Sequence, residues 1–475
     1  LEPGKPLSFL DHHVRIGNSL IGAMPEHILG GLPDDAYKPL EGDDKKVCSD
    51  LKKLNKAERK GFGPLFAQQD AETLAHFQRA SALLEDLPED RVEDIHAKEL
   101  AFRDYEETEE YRNKKQLADV WCSAFVINKC LRTPGCDIAS SGITQGQLNA
   151  LANRQKFNDV LAAEVSRLSL EYKFFHWYLA FPEVIAKGGF DCVIGNPPWE
   201  KIQPEERQFF ITIRPDIALA TGAERKRLIA ALMQSDAHLW SEWNRYRLSF
   251  DRFSHFIRAS KLYPLSAVGN LNTSTLFLDL AAKRTNSAGQ VGMIIPSGIA
   301  TNEITSDFFQ SLVRSGRIRS LFDFENGQSM FPDVDSRFRF CLIVISGSSL
   351  TRYNADFSFF RKSIEELNDP TSHFTLAYQD FELLSPNTGT CPTFSNVADA
   401  EITKAIHRRV PAFIQDKPTE SNPWHTKIYA EMYNMTRASH LFHTTEDLLG
   451  KGAQQENSAS SLITMANSGF KVQFT

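Results

Sequence analysis

The sequence predicts an α/β protein whose sheet is mainly parallel, with one antiparallel hairpin at its end. Three observations predict it. Short apolar runs closed by turn residues stand at 190–195 (FDCVIG), 291–296 (VGMIIP), 317–324 (RIRSLFDF) and 338–346 (FRFCLIVIS). Helical patterns separate the first three runs, whereas a turn-rich segment alone joins the last two. The composition, 42% hydrophobic and 24% charged with a mean hydropathy of −0.33, is that of a chain that buries a core in water.

Taken in order, residues 1–22 read as a short loop and strand, Val14-Arg15-Ile16 leading into the turn Gly17-Asn18. Residues 23–60 read as loop, on GLPDD and EGDDKK. From about 67 to 132 the pattern is helical: Leu74, Phe77, Leu83 and Leu84, then Leu100, Phe102 and Tyr105, then Leu117, Val120 and Trp121 form apolar stripes among charges. Helical patterning returns at 145–180 and 203–260, and Thr301 and Asn302 are placed to cap a helix running to about 314. Beyond 350 the signal is mixed, and 451–461 (KGAQQENSASS) reads as a flexible loop. There is no internal repeat.

Composition narrows the function classes. No apolar run approaches the ~18 residues of a membrane helix, and the start has no signal-peptide pattern. The seven cysteines (48, 122, 130, 136, 192, 341, 391) form no CxxC pair, which predicts a reducing cytoplasm rather than disulfides or zinc. With a net charge of −7, any surface for nucleic acid must be local.

The chemistry-bearing motif is Asn196-Pro197-Pro198-Trp199, directly after the apolar run ending at Gly195. In open α/β sheets ligands sit beyond the carboxyl ends of strands, which is where this tetrad falls. Two prolines fix φ and remove two backbone donors. The Asn196 side-chain oxygen and a proline carbonyl then stand as bare acceptors. An exocyclic amino group placed there donates both hydrogens, and its lone pair leaves conjugation and can attack an electrophilic methyl. The indole offers a platform for a planar base, worth roughly 1–3 kcal/mol by stacking. A base in a duplex reaches such a pocket only when flipped out, at a cost of a few kcal/mol.

FDCVIGNPPWEKI resembles the catalytic motif of adenine-N6 DNA methyltransferases of the large restriction-modification, type IIG-like family, which use S-adenosyl-L-methionine. LSFLDHHVRIGNSLIG resembles that family's third motif, FFHWYLAFPEVIAKGGFD its lead-in to the catalytic strand, GQVGMIIPSGIATN the next strand and loop, and LFDFENGQSMFPDVDSRFRFCLIVISG its terminal hairpin. The resemblance covers roughly residues 1–22 and 170–440. It implies a partial S-adenosylmethionine-dependent methyltransferase (Rossmann-like) sheet, a large helical insertion and the beginning of a C-terminal target-recognition region. The corresponding division is 1–22, end of the cofactor-binding half; 23–180, mainly helical insertion; 181–350, catalytic half; 351–475, connector and start of target recognition.

The resemblance also implies roles. Asn196 and Pro197 accept hydrogen bonds from the target amine, Pro198 shapes the turn, Trp199 stacks on the flipped adenine, and Phe331 forms a second wall. Gly17 and Asn18 approach the cofactor's adenine. Double-stranded DNA is the implied partner, with restriction or defence-system subunits or domains beside it, in a bacterial cytoplasm. One departure stands out: the family's Asp/Asn-Pro-x-x-Gly-x-Gly cofactor loop has no match, and neither Gly188-Gly189 nor the Gly269-Asn270 stretch has its spacing. The chain is therefore read as an excerpt beginning inside the catalytic domain, with an exposed sheet edge, inactive alone and weak in cofactor binding.

Other constellations read as structure. Asp11-His12-His13 is read as turn, His176-Trp177 as helix packing, and no metal site is assigned. In 225–261, eight Lys/Arg face three acids among recurring aromatics; the aromatics are expected to pack and the basic face to be open to phosphates. Two competing functions remain. Protein glutamine-N5 methylation uses the same tetrad logic, though the long inserts at 23–170 and 200–290 and Trp199 in place of Tyr argue against it. A non-catalytic DNA-binding fragment is the other.

Overall fold

The computed structural model describes residues 6–59, 65–130, 141–328, 330–410, 412–416, 421–422, 425, 445–450, 453–455, 462–465 and 471–473. Two compact units result, Leu1–Ala412 and Phe413–Thr475. The first is built on a six-stranded mixed sheet: β1 (Phe190–Gly195), β2 (Thr285–Pro296), β3 (Ile318–Glu325), β4 (Arg339–Ser346), β5 (Asn354–Arg361) and β6 (Phe374–Ala377), in the order β1-β2-β4-β3-β5-β6. The pairs β1/β2 and β3/β5 are parallel, and β2/β4, β3/β4 and β5/β6 are antiparallel. Hence β1, β2, β3 and β5 run one way, and β4 and β6 the other.

Alternation along the strands buries Val291, Met293 and Ile295 of β2 and Cys341, Ile343 and Ile345 of β4 in one core. The expected hairpin β3–β4 forms, but inside the sheet rather than at its end. Strand β5 (NADFSFFR) adds alongside β3 and buries Ala355, Phe357 and Phe359. Its interleaved Asn, Asp, Ser and Arg masked that alternation in the sequence. At the other side, β1 pairs only with β2 among the described residues, and Ile194 is 84% exposed.

The helical body comprises helices Leu65–Glu85, Val92–Glu107, Glu109–Val126, Gln145–Ala152 and Asp159–Tyr172, joined by Gly222–Ser235 and Ala237–Ala259. Thr108 and Asn158 cap two of them through side-chain oxygens. Trp121, Phe125 and Phe256 meet ring to ring at 4.8–6.2 Å in a second core, each worth roughly 1.5–3 kcal/mol by burial. Residues 23–60, expected as loop, contain helix Lys45–Arg59, capped by Asp44, with Val47, Cys48 and Leu51 buried on one face. The expected strand at 14–16 is not formed. Val14 and Ile16 are exposed and lack a neighbouring strand among the described residues; a single bridge joins Asn18 to Phe174.

Helix Ala237–Ala259 packs its aromatics as expected, burying Trp243 and Phe256. The expected open basic face is mostly spent within the protein. Arg225 donates to the carbonyls of Ile217, Ala218 and Ala220; Arg227 pairs with Glu224, Arg247 with Glu41; Arg258 donates to the Gly269 carbonyl. Arg252 is buried on Asp43 and on the carbonyls of Val126 and Ile127. In the second unit, described by itself, helix Thr445–Gly450 precedes an antiparallel sheet of β7 (Ala453–Gln455), β8 (Leu462–Met465) and β9 (Lys471–Gln473). Strand β7 lies inside the stretch expected to be loop. Among the described residues, no helix is long and apolar enough to cross a membrane. Six cysteines are free; Cys136 lies outside the described residues.

Lys129 is fully buried beside the Asp43–Arg252 pair, and among the described residues its ammonium donates only to the Ile127 carbonyl, at 3.4 Å. Burial pushes its pKa down to about 8, against the pull of Asp43. From about pH 8 to the ordinary lysine range near 10.5, the unfolded chain holds a proton that the folded chain does not, so stability rises with pH there. Lys129→Met is expected to raise stability at pH 7 by about 1–3 kcal/mol and to flatten that rise, as measured by denaturant titration at several pH values.

Candidate functional site

Strand β1 ends where Gly195 faces Met293 of β2, and the tetrad leaves the sheet at the edge where β2 ends. The same edge carries the end of β3 and the start of β4, because Phe340 sits opposite Pro296 on one side and Phe324 on the other. Phe340 is buried and forms the floor of the site. Its ring stacks on Phe324 (5.5 Å, 14°) and on Trp199 (5.8 Å, 25°). The indole N–H of Trp199 donates to the Ile294 carbonyl at 3.2 Å, which fixes the ring's rotation. Trp199 is thus half-buried, not interred.

Phe331 meets Trp199 edge to face at 5.4 Å and 74°, and Phe340 at 4.9 Å and 83°. Two rings expected to flank one ligand therefore form one corner. The loop holding Phe331 is organised by Asn326, whose buried carboxamide accepts from the Phe331 N–H (3.0 Å) and donates to the carbonyls of Phe331 (3.0 Å) and Val334 (2.8 Å). In the sequence, Asn326 lay unmarked in the turn-rich segment between 317–324 and 338–346.

Asn196 is exposed, and no hydrogen bond among the described residues engages its carboxamide or the Pro197 carbonyl. The Pro198 carbonyl, in contrast, accepts from the Thr273 hydroxyl at 2.6 Å. That hydroxyl also accepts from the Glu200 N–H, and the Thr273 N–H donates to the Glu200 carbonyl. A bridge between Lys201 and Asn272 extends this clamp. Behind the floor, buried Asp323 receives the Ser297 hydroxyl, the Arg339 guanidinium and the Phe360 N–H (2.9 Å), tying the ends of β2, β3, β4 and β5 together. Thr273, Asn326, Phe340 and Asp323 were not singled out by sequence; Thr273, Phe340 and Asp323 act through partners distant in the chain, and Asn326 through partners five and eight residues on.

Gly17 and Asn18 lie on a strap, residues 17–23, bound to 173–177. Asn18 N–H donates to the Lys173 carbonyl, Phe175 N–H to that of Ile21, and the Trp177 indole to that of Ser19. A Cβ on Gly22 would sit 1.8 Å from the Phe175 carbonyl oxygen, and one on Gly17 2.6 Å from the Phe175 ring. His176 completes the strap: Nδ1 accepts from the Ala23 N–H and Nε2 donates to Asp119 at 2.8 Å. Burial pushes the Asp119 carboxyl up, but hydrogen bonds from His176 and Lys115 outweigh that and hold it below the ordinary range. His176 is thus a buried strap residue that stands just before helix Trp177–Ala180, where packing within a helix was expected. No described contact links Gly17 or Asn18 to the tetrad. Beside the strap, a cleft of about 660 Å³ is lined by Arg15, Ile16, Phe102, Phe174 and Phe175, among others.

Asn326→Ala leaves the Phe331 N–H and two carbonyls without their partner. It is expected to lower stability by roughly 1–3 kcal/mol in denaturant titration and to change the fluorescence of Trp199, read against a Trp199→Phe blank.

Residues 75–219 match the family model of the Eco57I restriction-modification methylase. That span encloses the tetrad and also the helices from 75 to 170, where the sequence showed no resemblance and no chemistry. No curated protein matches the chain. Among solved structures, it is similar to the ATP-dependent Type ISP restriction-modification enzyme LlaBIII bound to DNA (13% identity, 43% of this chain, 11% of that chain, TM-score 0.20). It is also similar to the type I restriction-modification system methyltransferase subunit from Streptococcus thermophilus (12% identity, 53% and 46%, TM-score 0.26) and to the DrdV–DNA complex (15% identity, 45% and 18%, TM-score 0.20). The chain thus spans between 11% and 46% of the length of these structures, and TM-scores this low add nothing to the fold described above. The family match thus likens residues 75–219, the tetrad among them, to the restriction-modification methylases.

Proposed function

We propose that the chain carries the target-base half of a site-specific DNA adenine-N6 methyltransferase of a restriction-modification or phage-defence system, acting on double-stranded DNA with S-adenosyl-L-methionine. The observation that carries this reading is the unengaged Asn196 carboxamide and Pro197 carbonyl, standing beside the Trp199–Phe331 corner. Asn196 Oδ1 and the Pro197 carbonyl accept the two hydrogens of the exocyclic amine and leave its lone pair free to attack. Because Thr273 holds the Pro198 carbonyl, only the Pro197 carbonyl is left to serve. No charged base is needed before attack, since the proton leaves afterwards. The aromatic corner offsets part of the few kcal/mol that flipping costs, stacking being worth about 1–3 kcal/mol.

The cofactor implied by this chemistry supplies an electrophilic methyl group when bound. The described residues give such a group one edge of a site, not a whole one. The Asn18 N–H and Oδ1 are already spent on the Lys173 carbonyl and the Leu20 N–H, which leaves its Nδ2. No Gly-rich loop stands beside it in the sequence. Asn18, with Gly17 keeping the strap close to Phe175, is the contribution this chain makes. The division at 22, 180 and 350 follows the same reading: a strap that faces the cofactor, a helical insertion, a catalytic half and a connector into target recognition. Part of 351–475, the expected connector and start of target recognition, lies outside the described residues.

The protein expressed from its complete gene, incubated with DNA and labelled cofactor, is expected to place the label on adenine N6. Label on protein glutamine, or none on any acceptor, would overturn the reading. Asn196→Ala is expected to lower transfer by roughly 10²-fold or more. Thr273→Val is expected to lower kcat by about tenfold with KM little changed, and Thr273→Ser to restore it. The 475-residue chain alone is expected to give no micromolar binding of S-adenosyl-L-methionine in calorimetric titration.

A further inference from the structure

We propose that His12, His13 and Glu85 form a three-ligand site for a divalent transition-metal ion of the zinc class, which fastens the N-terminal segment to the end of helix Leu65–Glu85. The proposal is independent of the methyl-transfer reading. His12 Nε2 lies 3.4 Å and His13 Nε2 3.2 Å from Glu85 Oε1, and one ligand atom from each residue falls within 4.8 Å of the others. A tetrahedral ion with bonds of about 2.0–2.2 Å to imidazole nitrogen and carboxylate oxygen needs its ligand atoms roughly 3.3–3.6 Å apart. Both histidine–glutamate distances therefore fall near that spacing, and the third pair of ligand atoms lies within 4.8 Å.

Burial supplies the second observation. The His12 side chain is 10% exposed, and neither ring nitrogen has a hydrogen-bond partner among the described residues; its approach to Glu85 is outside hydrogen-bond geometry. A buried imidazole without a partner is costly, and an ion gives it one that the protein does not. The ring is held in place by Phe9, stacked on it at 5.4 Å and 7°, and by Phe102 at 6.1 Å. The two imidazole centroids are 3.8 Å apart, and each ring brings its Nε2 to within 3.4 Å of the same carboxylate oxygen. Behind them the Lys98 ammonium is neutralised by Glu89 at 2.8 Å, so the local charge left for the ion is that of Glu85.

The geometry also leaves a way in. His13 is 49% and Glu85 40% exposed, so the side opposite His12 opens to solvent, where water completes the coordination. Bridging residues 12–13 to residue 85 closes a long stretch of chain, and an ion bound only by the folded form stabilises it. Sequence showed the two histidines but not the glutamate, which the fold brings from a helix seventy residues away.

The test uses the 475-residue chain, stripped with chelator and titrated with Co2+ as a spectroscopic probe. One equivalent is expected to give the visible absorption of four-coordinate cobalt, to be displaced by Zn2+, and to raise the thermal midpoint. Glu85→Gln and His13→Ala, both at exposed side chains, are expected to weaken Co2+ binding by at least about tenfold while circular dichroism stays unchanged. Absence of the absorption overturns the proposal, as does a signal that survives both substitutions.

Discussion

The site depends on one constraint: Phe340 is registered against Pro296 and Phe324 at the same time. That register exists because β4 is antiparallel to both of its neighbours, and it puts the start of β4 at the edge where β1, β2 and β3 end. A slip of one residue would turn Phe340 to the other face of the sheet and remove the floor under Trp199. The buried Asp323 cluster guards against such a slip, because a carboxylate with three donors from three elements loses a donor if a neighbouring strand moves and all three if β3 does. The edge that carries the tetrad is thus a property of strand pairing, and the tetrad inherits its geometry from it.

Around that edge the protein divides its backbone acceptors into used and unused. Thr273 takes the Pro198 carbonyl, Trp199 takes that of Ile294, and Asn326 takes those of Phe331 and Val334. What stays open is the Asn196 carboxamide and the Pro197 carbonyl. These two, at the end of β1, are the acceptors that the proposed reading assigns to the incoming amine. The strap at 17–23 follows the opposite rule. Its carbonyls, N–H groups and close glycine contacts are consumed against 173–177, which makes it a rigid wall rather than an open one.

Sequence made the reactive part legible because its signals are local. Phe190–Trp199 announces a strand, a break and an indole within ten residues, and the strands at 291–296, 317–324 and 338–346 each carry their own apolar run. Phe331 could be named from the resemblance, but its seat on Asn326 could not, since an Asn-Gly pair reads as a turn whatever its carboxamide does. Helix Lys45–Arg59 was lost for another reason: flanking Gly, Pro and Asp outweighed a stripe of Val47, Cys48 and Leu51 spaced for one face. The basic residues of 225–261 misled because charge counts do not show which guanidinium groups the protein spends on its own carbonyls. Long-range partners, such as Glu85 for His12 and His13, leave no trace in a linear reading.

The central claim is that the tetrad and its aromatic corner receive a planar base bearing an exocyclic amine. The most direct measurement is the indole resonance of Trp199, assigned with Trp199→Phe, in the tryptophan-labelled 475-residue chain titrated with 2′-deoxyadenosine. A saturable shift with deoxyadenosine is expected, lost in Asn196→Ala and absent with thymidine. An unmoved resonance, or an equal shift with thymidine, would contradict the claim.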